Sequence, residues 1–348
     1  MVITHAQNRA FTNRLKFKRT RGPMKIGLAI CARNEEAGII AALSSVVDSA
    51  CSLEPSQAWE LMICANGCTD GTVALVEQWI MTHSHLPVSV VSVAVANLVE
   101  AQRLIATCLK NQGADIFAFF DADVAVDPAC IPELMKASVD PSVKAAYAVS
   151  VPIEAGSDTT IKKALNLYDS DNGIFSERKH LHGRAFLIKE WSIPSVHPPL
   201  HADDIYLSCN LLYTYGAQAI VRVPKAKIYF RQIETAADFY SAYKRRSLEL
   251  YKCLQAFPHF RTLPPDQINR RVLWSKLLDE PLPRAFYWLI LLALRKYSQV
   301  RFFIEASFGP RQAVDWEPTK TSKKPIHADS GISILQPSHS SRSNLLED

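Results

Sequence analysis

The chain has 348 residues, 48% of them hydrophobic, and a formal net charge of +5. That is enough apolar mass for one substantial core, and a charge so modest, with no aromatic-studded basic face, argues against a nucleic-acid partner. The most apolar stretch, 285–294, falls short of the ~20 residues that a membrane span needs, and the polar first residues lack the apolar run of a secretory signal.

Positive charge crowds the start. No acid precedes Glu35, while Arg9, Arg14, Lys16, Lys18, Arg19, Arg21 and Lys25 do. Residues 1–23 are therefore read as a basic arm, with three explanations open: a true start at Met24, a solvated disordered arm, or contact with anionic lipid or acidic polymer, where each cation is worth about 1 kcal/mol. From Lys25 onward, short apolar runs alternate with helical patterns. Strands are expected at Ile26–Ala32, 61–65, 88–95 and 116–120, and helices at 36–48, Thr72–Thr82 and 99–111. Such alternation predicts an α/β fold, a Rossmann-like, mostly parallel sheet flanked by helices. The second half is less regular. Strands are expected at 145–151, 184–188, 219–223 and 227–230, and helices at 161–178 and Asp203–Tyr215. Beyond Ala236 the pattern is helical, broken by Pro264-Pro265. This gives a catalytic-type domain over 24–260, a C-terminal helical extension over 261–318 and a disordered, Ser- and Pro-rich tail over 319–348.

The eight cysteines, Cys31 to Cys253, form no CxxC pair, and Cys64 and Cys68 have no second cluster to complete a zinc site. They read as reduced and structural, which places the chain on the cytoplasmic side of a membrane.

Polar clusters fall at the carboxyl ends of the first, second and fourth strands, where sheets of this kind bind ligands. The sharpest is Asp121-Ala122-Asp123 after the apolar run 116–120. Two carboxylates one residue apart can face one hard cation, Mn²⁺ or Mg²⁺, together with a diphosphate. Asn66 to Thr72, with Gly67 and Gly71, reads as a strand-to-helix turn capped by Thr69 or Asp70, and Arg33-Asn34-Glu35-Glu36 as a helix start. Asp203 and Asp204 open a helix; either is an N-cap, or one takes a proton from an attacking hydroxyl. Lys244-Arg245-Arg246 is either a solvated face or a diphosphate clamp. Phe286, Trp288, Leu289 and Leu292, flanked by Arg284, Arg295 and Lys296, are either core or a shallow membrane contact.

In this order the segments resemble family 2 glycosyltransferases. Lys25-Ile-Gly-Leu-Ala-Ile-Cys-Ala-Arg-Asn-Glu-Glu resembles their opening strand, and Asn66-Gly-Cys-Thr-Asp-Gly-Thr their Asp-Gly-Ser-Thr-Asp-Gly-Thr segment. Phe120-Asp-Ala-Asp is similar to their metal motif, Asp203-Asp204-Ile-Tyr-Leu-Ser to their base motif, and Leu181-His-Gly-Arg-Ala-Phe-Leu-Ile-Lys to the strand facing the donor sugar. The resemblance spans roughly residues 25 to 260. It implies a GT-A fold and an inverting transfer from a nucleoside diphosphate sugar, a UDP-sugar first, to a saccharide or lipid-linked acceptor. By position it makes Asp204 the base and Asp121 and Asp123 the metal ligands, with Arg33, Glu35, Asn66, Arg103, Asp121, Arg184 and Arg245 on the donor. The cysteines make the expected location cytoplasmic, and if the basic arm and the helix around Trp288 both meet lipid, the enzyme sits peripherally on the inner membrane face and its acceptor is lipid-linked. The chain departs from the family where two acids often end the second strand, here Ala65 and Asn66, and where a His often ends the last strand, here Phe230. His201 or His182 could supply that ligand instead. The alternative is a catalytically silent domain that binds a nucleotide sugar or a partner. A nucleotidyltransferase would need a Gly-rich Arg-Lys signature near the start, which the sequence lacks.

Overall fold

The computed structural model describes residues 24–94, 96–153, 159–170, 173–177, 179–194 and 200–308. The basic arm, the tail and most of the loop around His197 lie outside them.

Five strands and four helices alternate through the first half: β1 Ile26–Ala32, α1 Ile39–Cys51, β2 Trp59–Asn66, α2 Thr72–Thr82, β3 Val88–Val93, α3 Leu98–Asn111, β4 Ile116–Asp121, β5 Val124–Val126 and α4 Cys130–Ser138. The second half adds β6 Ala145–Pro152, α5 Thr160–Ser170, β7 Ala185–Ile188, α6 Asp203–Tyr215, β8 Ile220–Phe230 and α7 Ala236–Ala256, then short helices α8 Pro265–Ile268 and α9 Trp274–Leu278, and a long α10 Leu282–Phe308. The strands form one sheet in the order β3-β2-β1-β4-β7-β6-β8-β5. β1 pairs parallel with β2 and β4, β2 with β3, and β6 with β8; β7 runs antiparallel to β4 and β6, and β5 to β8. The expected mostly parallel sheet under helices is therefore the architecture found.

Both faces of this sheet are covered, which is why its strands read as almost unbroken apolar runs. Successive side chains along β4 go to opposite cores. Ile116, Ala118 and Phe120 join a cluster with Leu43 and Val46 of α1, whereas Phe117 and Phe119 join one with Ile105 of α3 and Leu207 of α6. A third cluster unites Leu165 of α5, Phe239 of α7, Leu277 of α9 and Trp288 and Leu291 of α10. Among the described residues, no helix is long and apolar enough to cross a membrane.

Several expected boundaries move for physical reasons. The helix expected over 161–178 ends at Ser170. Gly173 follows in the left-handed region (φ 45°), its missing Cβ vacating space only 2.3 Å from the Trp288 ring, and Phe175 then bridges to Val272. The two strands expected at 219–223 and 227–230 are one, β8. Its register against β6 jumps from Val223–Ala148 to Lys227–Val149, so the intervening residues, beginning with Pro224, bulge where proline has no N–H to give. Two elements were not anticipated: β5, which has only three residues, and α4, whose start is tied by the Asp127 carboxylate accepting from the Ala129 amide at 2.9 Å. The first helix begins at Ile39 rather than 36, after a turn.

Candidate active site

The loops that follow β1 and β2 are laced together by side chains. Asn34 sits at a positive φ of 55°, a conformation Asn tolerates better than most residues, and its Oδ1 accepts from the Thr69 amide at 2.8 Å. The Glu35 amide donates to Thr72 Oγ1 at 2.8 Å, and Glu36 Oε2 accepts from the Gly71 amide at 2.8 Å. Neither Thr69 nor Asp70, the two residues expected to cap α2, is its N-cap, a position held by Gly71, but Asp70 ties down the first helical residue. Its Oδ1 accepts from the Thr72 amide at 3.1 Å and from Thr72 Oγ1 at 2.6 Å. Asn66, buried at the end of β2, accepts from the Asn97 amide at 2.9 Å, and Asn97 in turn caps α3 by accepting from the Glu100 amide. These contacts fix the rim of a cleft of about 430 Å³, into which Arg33, Glu35 and Asn66 all face.

Asp121 closes β4, and Ala122-Asp123 turn the chain into β5, which pairs with the end of β8 through Val124 and Phe230. The Asp121 amide donates to the Arg184 carbonyl at 2.9 Å, so β4 and the start of β7 are pinned where the carboxylates emerge. The Arg184 guanidinium lies 3.6 Å over the Phe230 ring and 3.3 Å from His182 Nε2. Across the cleft, α6 brings Asp203 and Asp204, and α7 brings Arg245. Gly183 lies against Asp204, whose carboxylate would be 3.4 Å from a Cβ at that position.

The acids crowd one low-dielectric space. Burial pushes Asp121 well above the usual carboxylate range, and the neighbouring Asp123 and Asp203 add to the rise, opposed by Arg184. Burial also raises Asp123, against the pull of Arg184 and Arg245. Asp203 is pushed up to about 7 by burial and by Asp204, although its Oδ2 accepts from Gln102 Nε2 at 3.0 Å. Burial lowers Arg245, and Asp121, Asp204 and Asp123 counter that by favouring its cation. Six carboxylates (Glu35, Asp121, Asp123, Asp203, Asp204 and Glu249) and five guanidiniums (Arg33, Arg184, Arg231, Arg245 and Arg246) line the cleft, and the mutual repulsion of the four aspartates is relieved when a cation or proton joins them. The donors are hard oxygens, suited to Mn²⁺ or Mg²⁺. Among the described residues, no group of three His, Cys, Asp or Glu side chains gathers at metal-ligand spacing. Asp121 and Asp123 therefore fit a cation that takes its other ligands from water and a diphosphate, the usual habit of Mg²⁺.

The fold brings most of the sequence-selected residues together. Arg33, Glu35, Asn66, Asp121, Asp123, Arg184, Asp204 and Arg245 line one cleft. Arg103 is the exception and is corrected here: it does not line the cleft, its Nε donates to Glu100 at 2.8 Å, and its side chain is half exposed. The reason is helical phase. The buried face of α3 carries Val99, Gln102, Ile105 and Ala106, so Gln102 reaches Asp203 while Arg103 is rotated about 100° away. Gln102 was missed because an uncharged amide carries no motif. The Lys244-Arg245-Arg246 run likewise divides. Lys244 bonds Glu305 of α10 at 2.7 Å, Arg245 turns to the carboxylates, and Arg246 meets His180 Nε2 at 2.9 Å. Neither Asp203 nor Asp204 is the N-cap of α6; that position belongs to Ala202. His182 and His201 both line the cleft, and the His201 amide donates to Glu249 at 2.8 Å.

Residues 28–197 match the model of glycosyl transferase family 2, in line with the resemblance read from the motifs. Among solved structures, a mannosyltransferase from Pyrobaculum calidifontis, in complex with GDP-Man and Mn²⁺, is 16% identical, with 83% of this chain and 88% of that one covered and a TM-score of 0.51. At that identity the likeness establishes the fold, a GT-A-type sheet with C-terminal helices. A glucosyl-3-phosphoglycerate synthase from Mycobacterium tuberculosis, in complex with phosphoglyceric acid, is 19% identical over 72% of this chain and 86% of that one, with a TM-score of 0.45. No curated protein sequence matches the chain.

Proposed function

We propose that this protein is an inverting glycosyltransferase that moves a sugar from a nucleoside diphosphate sugar to an acceptor hydroxyl, with Asp204 as the base. One observation carries the reading: Asp121, Asp123, Arg184, Asp204 and Arg245, which come from the end of β4, its following turn, the residue before β7, α6 and α7, line the same cleft. The mannosyltransferase of like fold, solved with GDP-Man and Mn²⁺, lends the donor class further support.

In this reading the nucleoside lies along Arg33, Glu35 and Asn66, and the diphosphate lies between Arg184 and Arg245. Two guanidiniums in a water-poor cleft bind phosphate oxygens by charge-assisted hydrogen bonds. Asp121 and Asp123 hold Mn²⁺ or Mg²⁺; when bound, the ion neutralises charge that grows on the departing diphosphate. Asp204 takes the proton of the acceptor hydroxyl as its oxygen bonds to the anomeric carbon. The bond from that carbon to the diphosphate breaks on the opposite face, so configuration inverts. One base suffices, unlike the paired carboxylates of glycoside hydrolysis. Asp203 is a positioning residue: its bond to Gln102 ties the first turn of α6 to α3 and so fixes where Asp204 points. The acceptor is a saccharide or a lipid-linked saccharide, and the enzyme works on the cytoplasmic side.

A second reading is a nucleotide-sugar-binding domain without turnover, favoured by Phe230 standing where a third ligand is expected and by Ala65 and Asn66 in place of acids. A screen of UDP- and GDP-sugars, with and without Mn²⁺, separates the two. The transferase reading expects metal-dependent donor binding and slow donor hydrolysis, both lost in Asp123→Ala, with hydrolysis alone lost in Asp204→Asn. Tight donor binding with no turnover under any condition would favour the silent domain, and no donor binding at all would overturn both.

A further inference from the structure

We propose that the outer face of α10 is a docking surface for an anionic lipid bilayer. The argument is independent of the transferase reading and begins from a mismatch. The inner face of α10 is core, with Trp288, Leu291 and Ser298 buried against α5 and α7. A helix with one face in the core ordinarily shows charged or polar residues on the other. Here the opposite face shows Leu282, Phe286, Leu289, Val300, Phe303 and Ile304, with Leu282 88% and Phe303 68% exposed. Offsets of 4, 3, 11 and 3 residues from Leu282 to Phe303, each near a whole number of helical turns, keep them on one face over about 33 Å at 1.5 Å per residue, with Lys296 exposed in the gap between Leu289 and Val300. Tyr297 lies in the stripe as well, and on the neighbouring α9 Trp274 and Leu278 are exposed. Large apolar side chains exposed in this number on one helix face mark an interaction surface, whereas singly scattered ones would call for no account.

Charge identifies the occupant. Residues 270–308 carry seven basic side chains (Arg270, Arg271, Lys276, Arg284, Arg295, Lys296, Arg301) and three acids (Asp279, Glu280, Glu305), a balance of +4. Residues 1–25 carry seven cations and no acid, so these two stretches hold +11 and the rest of the chain −6, to make the total of +5. Arg271, Arg284 and Arg301 pair with Asp266, Glu280 and Glu305, and Arg270 and Arg295 lie over the Phe175 ring, so the exposed lysines, Lys296 on α10 and Lys276 on α9, are the cations offered to anionic headgroups above the acyl chains. Aromatic residues such as Trp274 and Tyr297 favour that interface too. A second copy fits less well. Lys296 is exposed near the midpoint of α10, and a two-fold pairing along the stripe would set the two Lys296 ammoniums beside each other. Since no helix among the described residues can cross, the chain would lie on the bilayer and not through it. Leu165, Tyr168 and Phe239 of α5 and α7, which line the cleft, would then stand one helix layer, about 10 Å, from the lipid surface.

The test is co-sedimentation of the full chain with vesicles of phosphatidylcholine alone and with about 30% phosphatidylglycerol added. Wild type is expected to pellet with the anionic vesicles at least tenfold better than with the neutral ones, and the preference to fade as salt is raised. A triple variant, Phe286→Ser, Leu289→Ser and Phe303→Ser, trims side chains that are each more than half exposed, so its thermal unfolding is expected to stay close to that of wild type while vesicle binding falls tenfold or more. Lys296→Glu, which leaves the apolar stripe intact, is expected to weaken binding several-fold. Equal pelleting of wild type and the triple variant would overturn the proposal, as would no pelleting of wild type. A dimer in solution that the triple variant converts to monomer, without vesicle binding, would assign the face to a second copy.

Discussion

Asp203 and Asp204 are adjacent and alike in shape, and the proposed mechanism gives them different roles, which Asn at each position separates. Asp204→Asn removes a base while keeping volume and is expected to lower kcat by about 10²–10⁴, or roughly 3–5 kcal/mol of barrier, with donor affinity unchanged. Asp203→Asn should instead change the pH dependence of stability. The native Asp203 carboxyl is pushed from 3.8 to about 7, chiefly by burial. Between those pH values the folded state binds the proton and the unfolded state does not, so wild-type stability declines as pH rises across that window. About three units at 1.36 kcal/mol each sets an upper bound of ~4 kcal/mol on the decline. The Asn variant has no proton to lose, and its Oδ1 can still accept from Gln102. Urea denaturation of both proteins at about pH 5 and about pH 8 should show the variant gaining on wild type by a few kcal/mol at the higher pH. Parallel stabilities at the two pH values would refute the account of Asp203. Full turnover by Asp204→Asn, with a dead Asp203→Asn, would exchange the two assignments.

Asp123→Ala is expected to abolish Mn²⁺-dependent donor binding in calorimetry, while Asp204→Asn retains it; equal loss in both would argue against Asp123 as the ligand. Phe230→Leu removes the ring beneath the Arg184 guanidinium, a contact worth up to ~2 kcal/mol in a desolvated place, and should raise the donor KM by about tenfold with little change in kcat. Gly173→Ala combines a left-handed backbone with a Cβ placed 2.3 Å from the Trp288 ring. A cost of about 2–4 kcal/mol follows, seen as a fall in Tm on the order of 5–10 °C, and an unchanged Tm would contradict the packing described.

The first half of the fold was readable because β1, most of β2 and β4 are buried on both faces and each helix on one, so hydrophobic period and motif position agree. Asp121, Asp123 and Asn66 were legible for the same reason, lying at strand ends where a sheet of this type leaves room for ligands. What the sequence concealed depends on contacts between distant segments. The end of α5 is set by Trp288, more than a hundred residues away, and β5 is a strand only because β8 is beside it. Arg103 misled because a motif position was read without the phase of its helix, and Gln102, one step round, carries the contact instead.

The seating of Trp288 against Gly173 has a consequence for how this molecule could be taken apart. The indole closes the back of the wall whose front, through Leu165 and Phe239, is the cleft. Cutting the chain after residue 260 would not release a smaller catalyst; it would strip the lining from behind α5 and α7 and expose their apolar flanks to water. Any transplant of this cleft into another protein, by engineering or by gene fusion, must therefore carry the last helix with it.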